Sequence, residues 1–380
     1  MDKIGARIVC LLGERKNKMV LFKMELYKVL RRPIVWVSGM IMALLLGVNY
    51  IGLIQEERST IGTADPLFHM EAIRQDREIV EEFQGVLTNE KLQQIVDKYG
   101  FPSKTYRGFS GWWDKNFLTE FVTEYFSDGY YGSWDNYKKA ETIIPIENTN
   151  FYPNIEEKEL YFEYNKGWTK FIEFMQFAGY ALIIWLVIVL SPLFAQDYDT
   201  NMYSLIFTTE NGYKKDINSK ILAAFTVTLV SFLAIAGSAF AVNIAIYGLD
   251  GAQMLWCFVA HNWLSSLSML TMAQFTAAYL LLYGLALFMT CAFCVLASAL
   301  SKNNFTSLLI TSGILILPLV YRLFGGSLFL CVSQPMMMIL ADMLVEAMIR
   351  MSYWFYVCAG ILITIICTFI GRAKCRKQHK

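Results

Sequence analysis

The chain has 380 residues, of which 56% are hydrophobic and only 17% charged, with a formal net charge of +1. A soluble domain carries roughly a quarter charged residues, so this composition excludes an ordinary soluble domain. The near-zero net charge also removes the global basic field that would argue for a nucleic-acid partner.

The first 33 residues carry nine Lys and Arg, among them Lys3, Arg7, Arg15 and Lys16, and no secretory signal is expected there. Its apolar run, 8–13, is too brief to cross a bilayer, which takes about 20 residues. Runs of that length predict spans near 34–54, 172–194, 221–247, 276–300, 306–328 and 354–371. The tail 372–380 carries five more basic residues, whereas the loop 248–275 has no Lys or Arg. Basic flanks stay on the cytosolic side. The expectation is therefore a multi-pass protein of the plasma membrane, with both termini cytosolic and residues 55–170 outside.

The first span repeats small residues at every fourth position, Gly39, Ala43 and Gly47. Such stripes let helices approach closely, either within one subunit or at a dimer seam. Residues 55–170 hold 13 Lys and Arg against 21 Asp and Glu and are rich in aromatic residues. Helical patterns at 67–83, 88–100 (Thr88 as N-cap, Gly100 as stop) and 114–129 predict a folded, mainly helical extracellular domain. None of the eight cysteines lies between residues 11 and 256, so no disulfide framework is expected in it.

After the second span comes the polar stretch 195–220, held between two apolar runs. Pro192 and Phe194 end the span, and a short amphipathic helix with Tyr198, Met202, Leu205 and Ile206 is expected. A turn at Asn211–Gly212 follows, then Lys214 and Lys215. An ordinary solvated loop needs no apolar face, so this one points to a docking surface. The third and fourth spans have small-residue stripes of their own, the fourth at Thr290, Cys294 and Ser298. Cys291 and Cys294 lie in an apolar run without a second pair and read as buried, unreactive thiols. Asn243 and His261 read as structural polar residues. Pro318 in the fifth span can kink the helix, and Thr311 joins it and the first-span stripe as a dimer or translocation-path candidate. Residues 334–350 are amphipathic, with Asp342, Glu346 and Arg350 on one face, and read as a helix on the outer leaflet, with a re-entrant element as the alternative.

Charged residues within the spans are confined to the edges, such as Glu173 and Arg322. That scarcity argues against a secondary transporter, which uses ionisable groups at mid-membrane. The sequence contains no H-E-x-x-H, no G-x-S-x-G and no G-x-x-x-x-G-K-[ST]. No catalytic, metal or cofactor site is expected in this chain.

Phe194, Asp197, Tyr198, Thr200, Leu205, Thr208, Thr209, Lys214, Lys215 and Lys220 occur in an order that resembles the membrane subunits of type-2 ATP-binding-cassette (ABC) exporters. In that family the second span ends in Phe-x-x-Glu-Tyr, followed by small residues, a Leu-rich segment ending in Thr, and a basic residue. Asp197 here replaces the usual Glu, and Asn201 stands about where a Gly is common. Residues 21–33 resemble the family's amphipathic elbow helix, with basic Lys23, Lys28, Arg31 and Arg32, and with Phe22, Leu26, Val29 and Leu30 able to sink into lipid.

The resemblance implies a non-enzymatic permease subunit whose segment 195–216 acts as a coupling helix. Its partners would be ABC ATPase subunits carrying ATP and Mg, a second permease subunit, identical or related, and the lipid bilayer of a bacterial cell. It would export a drug, an antimicrobial peptide, a lipid-like molecule or an ion. The readings from other classes are a membrane-anchored sensor or scaffold and a secondary transporter. The fold class expected is an all-α integral membrane protein of six transmembrane helices.

Overall fold

The computed structural model describes residues 19–62, 64–107, 110–129, 138–154, 159–202, 215–258, 270–324, 334–341 and 353–377. Six of its helices are long and apolar enough to cross a membrane. The chain is a mostly helical, multi-pass membrane protein by that criterion. The spans are Pro33–Gln55, Lys166–Leu190, Lys215–Tyr247, Met272–Leu300, Asn304–Leu323 and Tyr353–Lys377. The second and third helices start about six residues before the apolar runs suggest, at Lys166 and Lys215. Backbone hydrogen bonding continues through polar turns that hydropathy does not count.

The apolar cores of the second and fourth spans are 61% and 72% buried, whereas those of the other four are buried by 22% or less. Spans two and four are thus enclosed by protein. The first, third, fifth and sixth leave faces open to lipid or to another chain. In the first span, a Cβ on Gly39 would lie 3.5 Å from the Trp185 indole nitrogen, so this glycine packs within the chain. Gly47 has open space around it and Ala43 is exposed, which leaves that half of the stripe uncovered. Thr311 is buried and donates to the Ser307 carbonyl at 2.9 Å. The fifth helix continues through Pro318.

The described residues fall into two compact units. One lies within Met1–Leu46, Gln176–Gly237 and Tyr279–Lys380, the other within Gly47–Met175 and Ser238–Ala278. The second unit therefore holds the connections between spans one and two and between spans three and four, whereas the connection between spans five and six falls in the first unit.

The second unit is built on three helices, His69–Glu81, Asn89–Tyr99 and Phe117–Tyr125. Thr88 caps the middle one by accepting from the Lys91 amide at 3.2 Å, and Gly100 ends it at φ +70°, where a side chain would be strained. Asn116 and Thr119 form a reciprocal capping box on the third. Three antiparallel strand pairs complete the unit, none of them signalled by the sequence. They join Arg58–Ser59 to Leu67–Phe68, Gly85–Val86 to Tyr161–Phe162, and Ser103–Arg107 to Ser110–Asp114.

The core of this unit is aromatic. Phe121 lies 4.6 Å from Phe162 between ring centroids, and Phe258, from the other connection, meets Phe121, Tyr125, Phe126 and Phe151 at 5.3–5.9 Å. The 248–258 segment is thus part of this core and not a bare loop. Its close approach is fixed at Gly251 (φ +83°), where a Cβ would fall 2.6 Å from Asn165 Cα. Asn243 bridges Tyr50 and the Gly167 carbonyl, a structural role.

In the first unit, Pro335–Met338 and the residues up to Ala341 are mostly buried, and the Ile339 carbonyl accepts from the Tyr279 hydroxyl at 2.8 Å. The described part of 334–350 is packed against protein and not laid on a leaflet, because its methionines and Ile339 find apolar protein partners. Residues 342–350, with Asp342, Glu346 and Arg350, lie outside the described residues, as do His261 and the side chain of Arg322. Cys291 and Cys294 are both fully buried.

Candidate functional site

Two residues past Leu190, Pro192 opens an eight-residue helix, Pro192–Asp199, which prolongs the second span across Ser191. Proline suits a first helical position because its missing N–H would have no partner there. The other orphan amides are met from the fourth span, where the Ser298 hydroxyl accepts from Phe194 N at 2.8 Å and Ala195 N at 3.0 Å. Ser307 donates to the Ser191 carbonyl at 2.6 Å, and Asn304 Nδ2 donates to Asp199 Oδ2 at 3.0 Å. Asn201 then ends the helix in the left-handed conformation, φ +56°. Asparagine tolerates that region better than most residues. Met202 lies beyond the end of this helix, and Leu205 and Ile206 lie outside the described residues.

Lys220, 2% exposed, enters from the start of the third span. Its ammonium pairs with Asp197 and, at 3.1 Å, with Asp216, and it sits 5.8 Å from the Phe194 ring centroid. Phe194 is itself buried, so it forms a floor for the lysine and offers no docking surface. The close contact of Lys220 and Asp197 joins the two ends of the polar stretch.

A helix over 19–30 supplies the remaining wall. Glu25 and Val29 are its buried positions, 5% and 2% exposed, while Phe22 and Leu26 are half-buried. Its exposed apolar residues are Met19, Val20, Met24, Tyr27 and Leu30. Of the expected set Phe22, Leu26, Val29 and Leu30, only Leu30 is exposed, because Glu25 and Val29, four apart, turn together toward the protein. Glu25 pairs with Lys28. Burial pushes the Glu25 carboxyl above its ordinary range, against the pull of Lys220 and Lys28. Arg32 donates from Nη1 to the Val189 carbonyl at 3.2 Å, and burial lowers its pKa. Lys23 is exposed, and the Arg31 guanidinium lies 5.7 Å from the Tyr27 ring centroid.

These elements enclose a cavity of about 550 Å³ lined by Glu25, Lys28, Arg31, Arg32, Asp197 and Lys220, with Thr200 and Met202 at its edge. Sequence reading singles out the 21–33 and 195–202 segments, and the structure brings them together and adds roles for Glu25, Asp216, Ser298, Asn304 and Ser307. The stripe at Thr290, Cys294 and Ser298 was the one available signal for Ser298. Tyr198 and Lys215 flank the cavity-forming residues in sequence. Leu205, Thr208, Thr209 and Lys214 lie outside the described residues.

No family model, curated protein or solved structure matches this chain.

A second charged cluster lies in the other unit, just past the first span. Lys166 bridges Glu57 at 2.8 Å and Asp76 at 2.9 Å, and both carboxylates are almost fully buried. Asp76 also accepts from Ser59 Oγ at 2.6 Å and from the Phe117 amide at 3.2 Å. Lys170 reaches Glu173 at 3.1 Å and lies within 3.8 Å of Glu56 and Glu57. A cavity of about 370 Å³ opens beside these groups, with Lys115 and Glu120, paired at 2.6 Å, on its wall. The lysines lining it are each paired with a carboxylate. Among the described residues no group of His, Cys, Asp and Glu is placed to hold a metal.

Proposed function

We propose that the chain is the membrane-spanning subunit of an ATP-driven exporter of the ABC type, with nucleotide hydrolysis carried by a separate ATPase chain. The observation that carries this reading is the short helix Pro192–Asp199. It is fixed to the fourth span by Ser298, to the fifth by Ser307 and Asn304, and to the third by Lys220. A segment that receives force must be stiff relative to the helices it drives, and four side-chain anchors on the nine residues 191–199 supply that stiffness. The order of residues from Phe194 to Lys220 supports the same assignment.

On this reading the 195–216 segment docks on the ATPase, which holds ATP and Mg, and the helix over 19–30 lies in the inner interface as an elbow. Both termini are cytosolic, and the unit containing 56–165 faces outside. Closure of two ATPases pushes on the short helix. The spans then shift between two states, with the open faces of the first and fifth spans meeting those of a second permease subunit around the cargo path. The free energy comes from differential binding of nucleotide to the two states, since the chain has no phosphate loop of its own.

The test is co-purification of the tagged chain from its native membrane. An ATPase subunit with vanadate-sensitive hydrolysis should accompany it, and Asp197→Ala with Tyr198→Ala should release that ATPase or uncouple it. Cysteine placed at Thr200 should label only from the cytosolic side. An assembly lacking any ATPase, or hydrolysis untouched by the double substitution, would leave the sensor or scaffold reading in its place.

A further inference from the structure

The two cavities are both lined with charge, but they differ in whether that charge is spent. In the smaller one four cations (Arg58, Lys115, Lys166, Lys170) meet three lining carboxylates (Glu56, Glu57, Glu120) and Asp76 behind them, and each lysine is paired. In the larger one, four cations (Lys28, Arg31, Arg32, Lys220) face two carboxylates, Glu25 and Asp197. Glu25 is taken by Lys28 and Asp197 by Lys220. Even with Asp216, 3.1 Å from Lys220, set against them, one positive charge is left over. Among the described residues, neither Arg31 nor Arg32 forms a close ion pair with a carboxylate, and Asp197 and Glu25 act on Arg32 only at longer range. Arg32 has one guanidinium nitrogen on a backbone carbonyl, and Arg31 borders a tyrosine ring.

The surroundings of these arginines narrow the missing partner. Leu30, Ile34, Trp36 and Val37, next to them in the chain, are all exposed apolar residues. Trp36 Nε1 donates to the Leu30 carbonyl at 2.8 Å, holding the indole at the junction between the helix over 19–30 and the first span. Tryptophan with one polar end satisfied and an apolar body exposed is typical of a bilayer interface. A ligand that satisfies both features has an anionic head and acyl chains.

We propose that the cavity bounded by Arg31, Arg32 and Lys28 seats the phosphate of an anionic phospholipid, with its acyl chains along the exposed start of the first span. Guanidinium groups bind phosphate oxygens with two parallel hydrogen bonds, which an ammonium cannot match. A zwitterionic headgroup is disfavoured because both lining carboxylates are already paired, leaving nothing for its ammonium. This inference needs the bilayer but not the ATPase, so it stands or falls separately from the exporter reading.

The experiment is native mass spectrometry of the full chain in detergent, supplied with equal phosphatidylglycerol and phosphatidylcholine, with and without excess inorganic phosphate. The wild-type chain should retain phosphatidylglycerol preferentially. Arg31→Gln with Arg32→Gln should lower that retention about ten-fold, the loss of roughly one charge-assisted bond. Arg31→Lys with Arg32→Lys should fall between, and Lys98→Gln, in the other unit, should match wild type. Equal retention of the two lipids by the wild-type chain would overturn the proposal without any variant having to fold. Displacement by inorganic phosphate would also overturn it, by assigning the seat to a soluble anion.

Discussion

Lys166, half-buried, and Lys220, buried, each bridge two carboxylates, yet their surroundings are opposite. Around Lys166 the carboxylates are saturated. Asp76 receives a hydroxyl, a helix-terminal amide and the ammonium together, and the cluster ties the ends of the first two spans to helices His69–Glu81 and Phe117–Tyr125. Around Lys220 the carboxylates retain some exposure, and the wall beyond them is over-supplied with cations. A saturated cluster fixes geometry, whereas an unsaturated one invites a further partner.

Substitutions can break that comparison. Asp76→Ala should be the most damaging, at about 3–5 kcal/mol, because it strips a half-buried lysine of one partner and leaves a serine hydroxyl and an amide without an acceptor. Thermal and denaturant unfolding of the solubilised chain would read it. Lys220→Met should cost less, about 1–3 kcal/mol, since Asp197 and Asp216 can turn to water in the adjoining cavity. A Lys220→Met loss as large as that of Asp76→Ala would erase the distinction.

Smaller effects sharpen it. Asn116→Ala removes the capping box beside Asp76 and should cost about 1 kcal/mol. The Asp128 carboxylate accepts from the Glu141 and Thr142 amides, which hold its pKa below the ordinary value. A depressed folded pKa adds stability above the unfolded value that is lost as pH falls through the folded one. Asp128→Asn should therefore flatten the acid side of the melting temperature against pH, with little change in Lys220-dependent behaviour. Glu25 works in the opposite sense: its raised pKa favours the folded state at low pH, an advantage lost as pH rises through the raised value. Glu25→Gln should flatten that descending limb.

What could be read from the residues was whatever depends on near neighbours. The six spans, the Thr88 cap and the Gly100 stop are short-range features, and each is present where the pattern puts it, apart from polar turns that extend the second and third helices. The Lys166 cluster was out of reach because Glu57, Asp76 and Lys166 are scattered over more than a hundred positions. Its faint trace was a pair of glutamates closing one span and two lysines opening the next. The strands were too short to show alternation, and Phe258 gave no hint that it belongs to a core built from residues far upstream. The face of the helix over 19–30 was misjudged because a glutamate beside valine looks solvent-facing until a lysine is found to cover it. At the candidate site, the segments were legible from order and composition, but the anchors from the fourth and fifth spans were not.

Ser298 offers a single oxygen to two amides of a helix that belongs to another part of the chain. Both bonds converge on one hydroxyl, so removing that single oxygen, as in Ser298→Ala, would orphan two buried amides together. Threonine would keep the oxygen, which makes this one atom the common footing of the fourth span and the short helix.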